Sequence, residues 1–96
     1  MKITKLETFH VRPRWMFLKI HTDEGLVGYG EPVLEGRART VETAVNELAS
    51  YLIGKDPLAI EVHFHQMTSI MHTYMAQIGV ISGIDMALWD LAGKLL

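Results

Sequence analysis

Arginine is the residue type in this sequence that is best suited to bind an anionic ligand. Arg12 and Arg14 follow the first apolar segment, and Arg37 and Arg39 follow the third. A guanidinium group can bind a carboxylate through two parallel hydrogen bonds, so arginines in neighbouring loops are candidate carboxylate ligands. Solvated surface arginine is the commoner outcome, and the pattern indicates a binding site only together with other features.

Two other motifs have the residue types but not the geometry for chemistry. His63 and His65 are two positions apart on a predicted helix, where side chains point about 200° apart and cannot share a metal ion. We therefore expect solvated histidines on the flank of this helix. Residues 28–31 (GYGE) lie inside a predicted strand, so we interpret Gly28 and Gly30 as sites of close packing rather than as a phosphate loop.

The sequence offers no complete catalytic centre. It contains no cysteine, which excludes disulfides and thiolate metal ligands. No serine nucleophile has a partner base, and no carboxylates are spaced to bind Mg²⁺. We therefore expect no catalytic residue and no metal ligand in this chain.

The composition is that of one small globular domain. Hydrophobic residues make up 49% of the chain, which is enough for a core, and the net charge of −2 gives no electrostatic reason to expect nucleic acid or an anionic membrane. The N-terminal MKITK lacks the apolar core of a signal peptide, and no apolar run reaches membrane-spanning length. We expect a cytoplasmic protein without nucleic-acid or membrane partners.

Alternating apolar side chains predict three strands at the start of the chain. In the first strand, Leu6 is expected on the face opposite Ile3 and Phe9. Gly25 predicts a tight turn with positive φ between the second and third strands. The apolar face of the second strand consists of Met16, Leu18 and Ile20. The three strands are predicted over residues 2–11, 15–22 and 26–33.

The period of the apolar residues then changes to that of helices. Thr40 is predicted as the N-cap of the first helix and Gly54 as the residue that ends it. Asp56 and Pro57 are predicted as the N-cap and first residue of the second helix, and residues 74–78 as a link to the third. Strands followed by helices indicate an α+β fold, a three-stranded antiparallel meander with three helices on one side. The predicted apolar faces are Val41, Ala44, Val45, Leu48 and Leu52 in the first helix, and Ile60, Phe64, Met67, Met71 and Tyr74 in the second.

The last segment, residues 79–96, is predicted as a helix that is apolar nearly all round. One stripe consists of Ile81, Ile84, Leu88, Leu91 and Leu95. Met86 and Trp89 lie outside this stripe, while Asp90 and Lys94 stand one turn apart in the favourable order for an ion pair. Such a helix is normally buried on several sides, and a chain of 96 residues covers only one of them. We infer a bridging helix whose second partner is absent from this sequence; an ordinary amphipathic helix is the alternative.

Three segments resemble the N-terminal domain of the mandelate racemase/muconate lactonizing enzyme branch of the enolase superfamily. They are residues 22–32 (TDEGLVGYGEP), 54–57 (GKDP) and 82–94 (SGIDMALWDLAGK). The last is the most specific. One departure is Val80, where the family's signature usually begins with alanine, and the end of the signature beyond Lys94 is cut off. Residues 13–20 and 35–41 are most similar to D-galactonate dehydratases and related acid-sugar dehydratases. Residues 72–79 lack the glycine- and arginine-rich run that many relatives carry.

This resemblance implies that residues 1–96 form an N-terminal capping domain and that the catalytic barrel is absent from the chain. In the family, the barrel binds Mg²⁺ through three carboxylates and supplies the acid and base that remove a proton α to the substrate carboxylate. Two loops of the cap, which correspond to Arg12–Trp15 and Pro32–Arg39 in this sequence, close over the substrate and exclude water. The implied partners are the barrel domain, a sugar-acid substrate and further copies of the chain. The implied substrate-shaping residues are Arg14, Trp15, Glu35 and Arg37.

Two alternatives to the capping function remain open at the level of sequence. The chain could be a stand-alone interaction or oligomerisation module that uses an exposed apolar C-terminal helix, since such a surface is a liability on a monomer. It could also bind a small acid through its arginine loops.

Overall fold

A computed structural model of the chain describes residues 1–11, 15–32, 38–71 and 75–95. The strands form one antiparallel sheet in the order β1-β2-β3, and the helices follow in the chain. The predicted α+β fold, a three-stranded antiparallel meander followed by three helices, is confirmed. The elements are β1 (Ile3–Val11), β2 (Trp15–Thr22), β3 (Val27–Gly30), α1 (Ala38–Leu52), α2 (Ile60–Met71) and α3 (Met75–Leu95).

A β-bulge near the start of β1 changes which side chains face the core. Ile3 pairs with Thr22 and Lys5 with His21, so β1 has one more residue than β2 between these pairs. As a result, Ile3 and Leu6 are both buried, although they are three positions apart. The prediction that Leu6 lies opposite Ile3 is wrong, because strict alternation does not allow for the extra residue.

The bulge also moves the later part of β1 to the other face. Phe9 pairs with Phe17, whose side chain is exposed on the sheet face away from the helices. Phe9 therefore does not share a face with Ile3, contrary to the prediction. On the same outer face, the ammonium group of Lys19 lies 5.1 Å from the ring centre of Phe9 and 5.6 Å from that of Tyr29. These cation–π contacts give the outer face of the sheet a partly charged surface.

Two helices begin earlier than predicted. α1 starts at Ala38 instead of after Thr40, and α3 starts at Met75 instead of at Gly79. Both extensions consist largely of good helix formers, and one glycine inside a helix costs only about 1 kcal/mol relative to alanine. The end of α1 agrees with the prediction, since Gly54 has a φ of +88°.

The second helix begins later than predicted. The Asp56 carboxylate accepts a hydrogen bond of 2.9 Å from the backbone N–H of Leu58, and the Asp56 carbonyl accepts one of 3.4 Å from Ala59. These bonds close a separate turn, and α2 starts only at Ile60. Asp56 thus caps a turn rather than the helix itself, which corrects the predicted boundary.

A buried histidine joins α1, this turn and α2. His63 is only 2% exposed, and its Nε2 lies 2.6 Å from the carbonyl oxygen of Asp56. Because a carbonyl only accepts, Nε2 carries the proton, and the Tyr51 hydroxyl donates to Nδ1 across 2.8 Å. The prediction of a solvated His63 is wrong. The buried face of α2 consists of Ile60, His63 and Met67, whereas Phe64, which was predicted to be buried, is exposed.

α3 packs directly against β3. A Cβ atom on Gly28 would overlap the carbonyl oxygen of Ala87, and one on Gly30 would overlap the carbonyl oxygen of Gly83. A Cβ atom on Gly83 would in turn lie 2.5 Å from the backbone of Pro32. The glycines therefore allow direct contact between two backbones, as predicted for Gly28 and Gly30.

Two side chains of α3 also bind the free edge of β3. Asp90 accepts a hydrogen bond of 2.9 Å from the backbone N–H of Tyr29, and Lys94 donates one of 2.8 Å to the carbonyl oxygen of Val27. Asp90 and Lys94 also form the predicted ion pair, at 2.9 Å. An unpaired strand edge can pair with other chains, and these two side chains protect it.

Substitution of one glycine in α3 should test this close packing. We expect Gly83→Ala to lower the free energy of unfolding by about 1–3 kcal/mol or more, because the added methyl group overlaps the backbone of Pro32. Gly93→Ala is the matched control in the same helix, since a Cβ atom there meets no atom within 4 Å. It should raise stability by up to about 1 kcal/mol. Urea unfolding of both variants gives the comparison, and equal effects would contradict the packing argument.

The contact between Asp90 and the β3 edge should make the free energy of unfolding depend on pH. The hydrogen bond from Lys94, and then that from the backbone of Tyr29, lower the pKa of Asp90. A carboxyl group with a lowered pKa in the folded state stabilises the protein above its unfolded pKa, and this stabilisation is lost as the pH falls through the folded pKa.

We therefore expect Asp90→Asn to reduce the free energy of unfolding at pH 7, and to reduce it less as the solution is acidified. The loss should stay below about 1 kcal/mol, since the Asp90 side chain is 36% exposed and solvent screens the pair. Thermal unfolding between pH 7 and pH 3 measures it. Glu47→Gln, on an exposed position of α1, is the control, and a loss for Asp90→Asn that grows in acid would refute the prediction.

Candidate functional site

The predicted substrate-shaping residues lie at or beside two connections of the sheet. Arg14, Glu35 and Arg37 are outside the described residues, as are the other members of ranges 12–14 and 33–37 in the two predicted loops. Trp15 is the first residue of β2, where its backbone pairs with Val11 at the end of β1.

Both connections leave the same end of the sheet. β1 ends at Val11 beside the first residue of β2, and β3 ends at Gly30 beside Leu18. The chain segments that follow β1 and β3 therefore start from neighbouring positions. Gly25 and Gly54 lie at the opposite end, where the backbone N–H of Gly54 donates to the carbonyl oxygen of Ile3 across 2.7 Å. The register thus brings the starting points of the two predicted loops together.

A polar cluster fixes the start of α1 against β1 near this end. The Glu42 carboxylate accepts a hydrogen bond of 2.9 Å from the Thr8 hydroxyl. The same oxygen lies 2.6 Å from Nε2 of His10. Because Glu42 is in the first part of α1 and His10 is next to the end of β1, the cluster sets the spacing between the elements that carry the two loops.

A second candidate site is an exposed apolar surface of α2 and α3. We call it the α2–α3 surface, and it consists of Phe64, Met86 and Trp89. Trp89 is 58% exposed and Met86 is 52% exposed, whereas Leu88 between them is fully buried. Apolar side chains of α3 thus lie both in the core and on an exposed face, whereas a second partner for this helix stays a prediction. Of the predicted buried stripe, Leu95 is the exception, since its side chain is 45% exposed.

Trp89 lies beside residues of α2. It lines a depression of about 420 Å³ whose other walls are Ile60, Glu61, Phe64, His65 and Asp85. Asp85 stands one turn before Trp89 in α3 and lines the same depression. Burial raises the pKa of Asp85.

The part of α2 in this surface was missed by the sequence patterns. The prediction places Phe64 on the buried face together with Ile60 and Met67, and this is wrong, since Phe64 is exposed. The spacing of Ile60, His63 and Met67 at positions i, i+3 and i+7 is the signal that identifies the buried face. This spacing is recognised only if His63 is counted as a core residue.

Neither a metal site nor a membrane span is present in the described part of the chain. Among residues 1–11, 15–32, 38–71 and 75–95, no group of three or more His, Asp or Glu side chains could hold a metal ion. Within the same ranges, every helix is too short or too polar to cross a bilayer.

Residues 4–96 match the family of the mandelate racemase/muconate lactonizing enzyme N-terminal domain. The chain belongs to this family. It is 57% identical over 98 residues to D-galactonate dehydratase of Cronobacter sakazakii and 53% identical over 98 residues to that of Xanthomonas campestris. Each comparison covers 100% of this chain but only 26% of the relative, so the chain spans about a quarter of the length of these proteins.

A solved structure agrees with the family assignment. A member of the enolase superfamily from Salmonella Typhimurium superposes with a TM-score of 0.91 and 32% sequence identity. The superposition covers 98% of this chain and 26% of that one. The fold described above is therefore that of an N-terminal domain in this family, and the signature at residues 82–94 corresponds to the α3 segment that contacts β3.

Alanine substitutions at two neighbouring positions of α3 should distinguish a core side chain from an exposed one. In the isolated chain we expect Trp89→Ala to change the free energy of unfolding by less than about 1 kcal/mol, because the side chain is mostly in solvent. Leu88→Ala, at a fully buried position, should cost about 2–5 kcal/mol. Guanidinium unfolding of both variants measures this, and a loss for Trp89→Ala that matches Leu88→Ala would place Trp89 in the core.

Proposed function

We propose that residues 1–96 act as the N-terminal capping domain of a Mg²⁺-dependent acid-sugar dehydratase. The observation that carries this proposal is the 57% identity, across the whole chain, to a D-galactonate dehydratase that is about four times as long. In this proposal the remainder of the enzyme is a barrel domain. It packs on the cap and provides the metal ligands, the acid and the base.

The α2–α3 surface supports a covered rather than a solvated position for the last helix. Trp89, Met86 and Phe64 are all exposed, and Trp89 and Phe64 line the same depression. Exposed large apolar side chains that lie side by side are typical of an interaction surface. The outer face of the sheet is less suited to this contact because Lys19 lies over its aromatic rings. The barrel domain is therefore expected on the side of α2 and α3.

The two loops give the cap its proposed part in substrate binding. The guanidinium groups of Arg14 and Arg37 can pair with the carboxylate of a sugar acid, and Glu35 can accept hydrogen bonds from its hydroxyl groups. Trp15 would cover the apolar side of the substrate and exclude water. We infer that Mg²⁺ is bound by the rest of the enzyme, since the described residues supply no set of three ligands.

A chimaeric enzyme tests the proposal. Its parent is the Cronobacter sakazakii relative, and the matched N-terminal quarter is replaced by this chain. We expect the chimaera to dehydrate D-galactonate with Mg²⁺, whereas the isolated chain should show no turnover. Turnover by the isolated chain, or a folded but inactive chimaera beside an active parent, would contradict the capping function.

Loop variants of the chimaera test the substrate-shaping role. Arg14→Ala and Arg37→Ala should each lower kcat/KM by roughly 10–150-fold, the equivalent of about 1.5–3 kcal/mol for a hydrogen bond to a charged group. Lys55→Ala is the control, because Lys55 is exposed at the opposite end of the sheet. Equal kinetics for all three variants would remove the arginines from the substrate site.

The exposed surface also favours a second candidate, a stand-alone module that self-associates through α3. In that case the isolated chain should sediment as one defined oligomer, and Trp89→Ala should convert it to a monomer. Further association of the complete enzyme into a homo-oligomer and a cytoplasmic location are additional parts of the proposal, which rest on the family resemblance and on the sequence.

A further inference from the structure

The helix-facing side of β1 changes from apolar to polar toward the end that precedes the first predicted loop. Ile3 and Leu6 are buried in the core, whereas Thr8 and His10 further along the strand are polar and only partly covered. In the sheet register Thr8 lies beside Leu18, which is fully buried. Because apolar side chains at positions 8 and 10 would extend the core, the two polar side chains indicate a specific contact.

That contact is made by Glu42 in the first part of α1. Its Oε2 atom accepts the hydrogen bond of 2.9 Å from the Thr8 hydroxyl and lies 2.6 Å from Nε2 of His10. Because an ionised carboxylate only accepts, Nε2 of His10 carries the proton, and two donors from one strand meet at a single oxygen. Hydrogen bonds to a charged acceptor are stronger than neutral ones, so the pair restricts the position of the Glu42 side chain.

The contact lies where it can fix the spacing between the two predicted loops. His10 is close to the end of β1, and Glu42 is close to the start of α1, into which the second loop runs. The second loop begins at Pro32, whose backbone lies against Gly83 of α3. The start of this loop is therefore fixed by α3 and its end by α1, and Glu42 links α1 to β1.

Stabilisation of the fold is the ordinary role of such a contact, and it predicts a different behaviour. The side chains of His10 and Glu42 are 44% and 37% exposed, and exposed pairs contribute little to the free energy of unfolding. Val41 and Val45, on either side of Glu42 in the sequence of α1, are buried in the core. Packing of these valines holds α1 on the sheet, so the polar cluster is better suited to set the position of the start of α1 than to supply stability.

We propose that Glu42 is a positioning residue for substrate binding, which fixes the spacing of the two loops through its bonds to Thr8 and His10. This inference rests on the proposed function, in which these loops bind a sugar acid. Glu42 acts through the loops and does not contact the substrate. Positioning of this kind matters because displacement of a binding group by about 1 Å can cost roughly a hundredfold in rate.

The kinetics of the chimaera described above measure this role. We expect Glu42→Ala to raise KM for D-galactonate about five- to tenfold and to change kcat less than about twofold, because the cap binds substrate while the rest of the enzyme supplies the acid and base. The Mg²⁺ concentration that gives half-maximal activity should stay unchanged. Thr8→Val, which removes only the hydroxyl donor, should cause a smaller rise in KM, and Thr8→Ser should retain the KM of the unsubstituted chimaera.

Two substitutions of His10 are matched in polarity and differ in where they place a donor. His10→Gln puts an amide N–H group near the position of Nε2 and should keep KM within about twofold of the unsubstituted value. His10→Asn puts its amide near the position of Nδ1, away from Glu42, and should raise KM as much as His10→Ala does.

Val45→Ala is the control for a simple loss of stability. Val45 is fully buried in the same helix, so its truncation should lower the unfolding midpoint more than Glu42→Ala does and leave KM unchanged at room temperature. A KM that follows the unfolding midpoint across all variants would show that Glu42 serves only the stability of the fold, and the inference would fail.

Hydrogen exchange tests the same link in the isolated chain. Glu42→Ala should speed amide exchange at the end of β1 and in the first half of α1, because the two elements are no longer joined there. The amide of Gly54, which is bonded to Ile3 at the opposite end of the sheet, should exchange as before. An unchanged exchange rate near His10 would contradict the link between β1 and α1.

The outcomes separate the inference from the proposed function. An active chimaera whose KM is unaffected by Glu42→Ala, or in which His10→Gln and His10→Asn behave alike, would overturn the positioning role and leave the capping function intact. A folded but inactive chimaera beside an active parent would refute the capping function, and the inference would fall with it.

Discussion

The direct contact of α3 with β3 is the constraint on which the rest of this structure depends. Gly28 and Gly30 present bare backbone to the helix, and Gly83 presents bare backbone to the sheet side. The backbones of α3 and β3 are so close that the helix has little freedom to rotate, because a Cβ atom at the contact would overlap backbone atoms. Asp90 and Lys94 then bind the outer edge of the same strand. The face of α3 that carries Met86 and Trp89 is thereby directed away from the domain.

Features that depend on neighbouring residues could be predicted from the sequence. Gly25 and Gly54 have the positive φ expected from their turn and helix-end positions, and Met16, Leu18 and Ile20 form the expected buried face. The close-packing glycines of β3 were also identifiable, since glycine in a strand interior usually marks an approaching backbone. Their partner in α3 was not, because no local pattern specifies which helix approaches which strand.

Features that depend on tertiary contacts could not be predicted. The bulge beside Ile3 follows from pairing with β2, and a burial pattern of one strand does not reveal it. His63 is buried because Tyr51 and the Asp56 carbonyl satisfy both ring nitrogens, and these groups come from two other elements. The candidate site likewise combines features set by pairing within the sheet with features set by packing between helices. The start points of the two loops come from strand register, whereas the part of α2 in the exposed surface follows from the burial of His63.

The interior and the exposed surface of this domain have separate roles, and the sequence of α3 keeps them apart. Leu88 and Leu91 are fully buried on one side of the helix. Trp89 adds little to that core, because 58% of its side chain is exposed. The same helix thus supplies the core and the exposed apolar surface with different side chains, so a change at the exposed surface leaves the buried contacts of α3 in place.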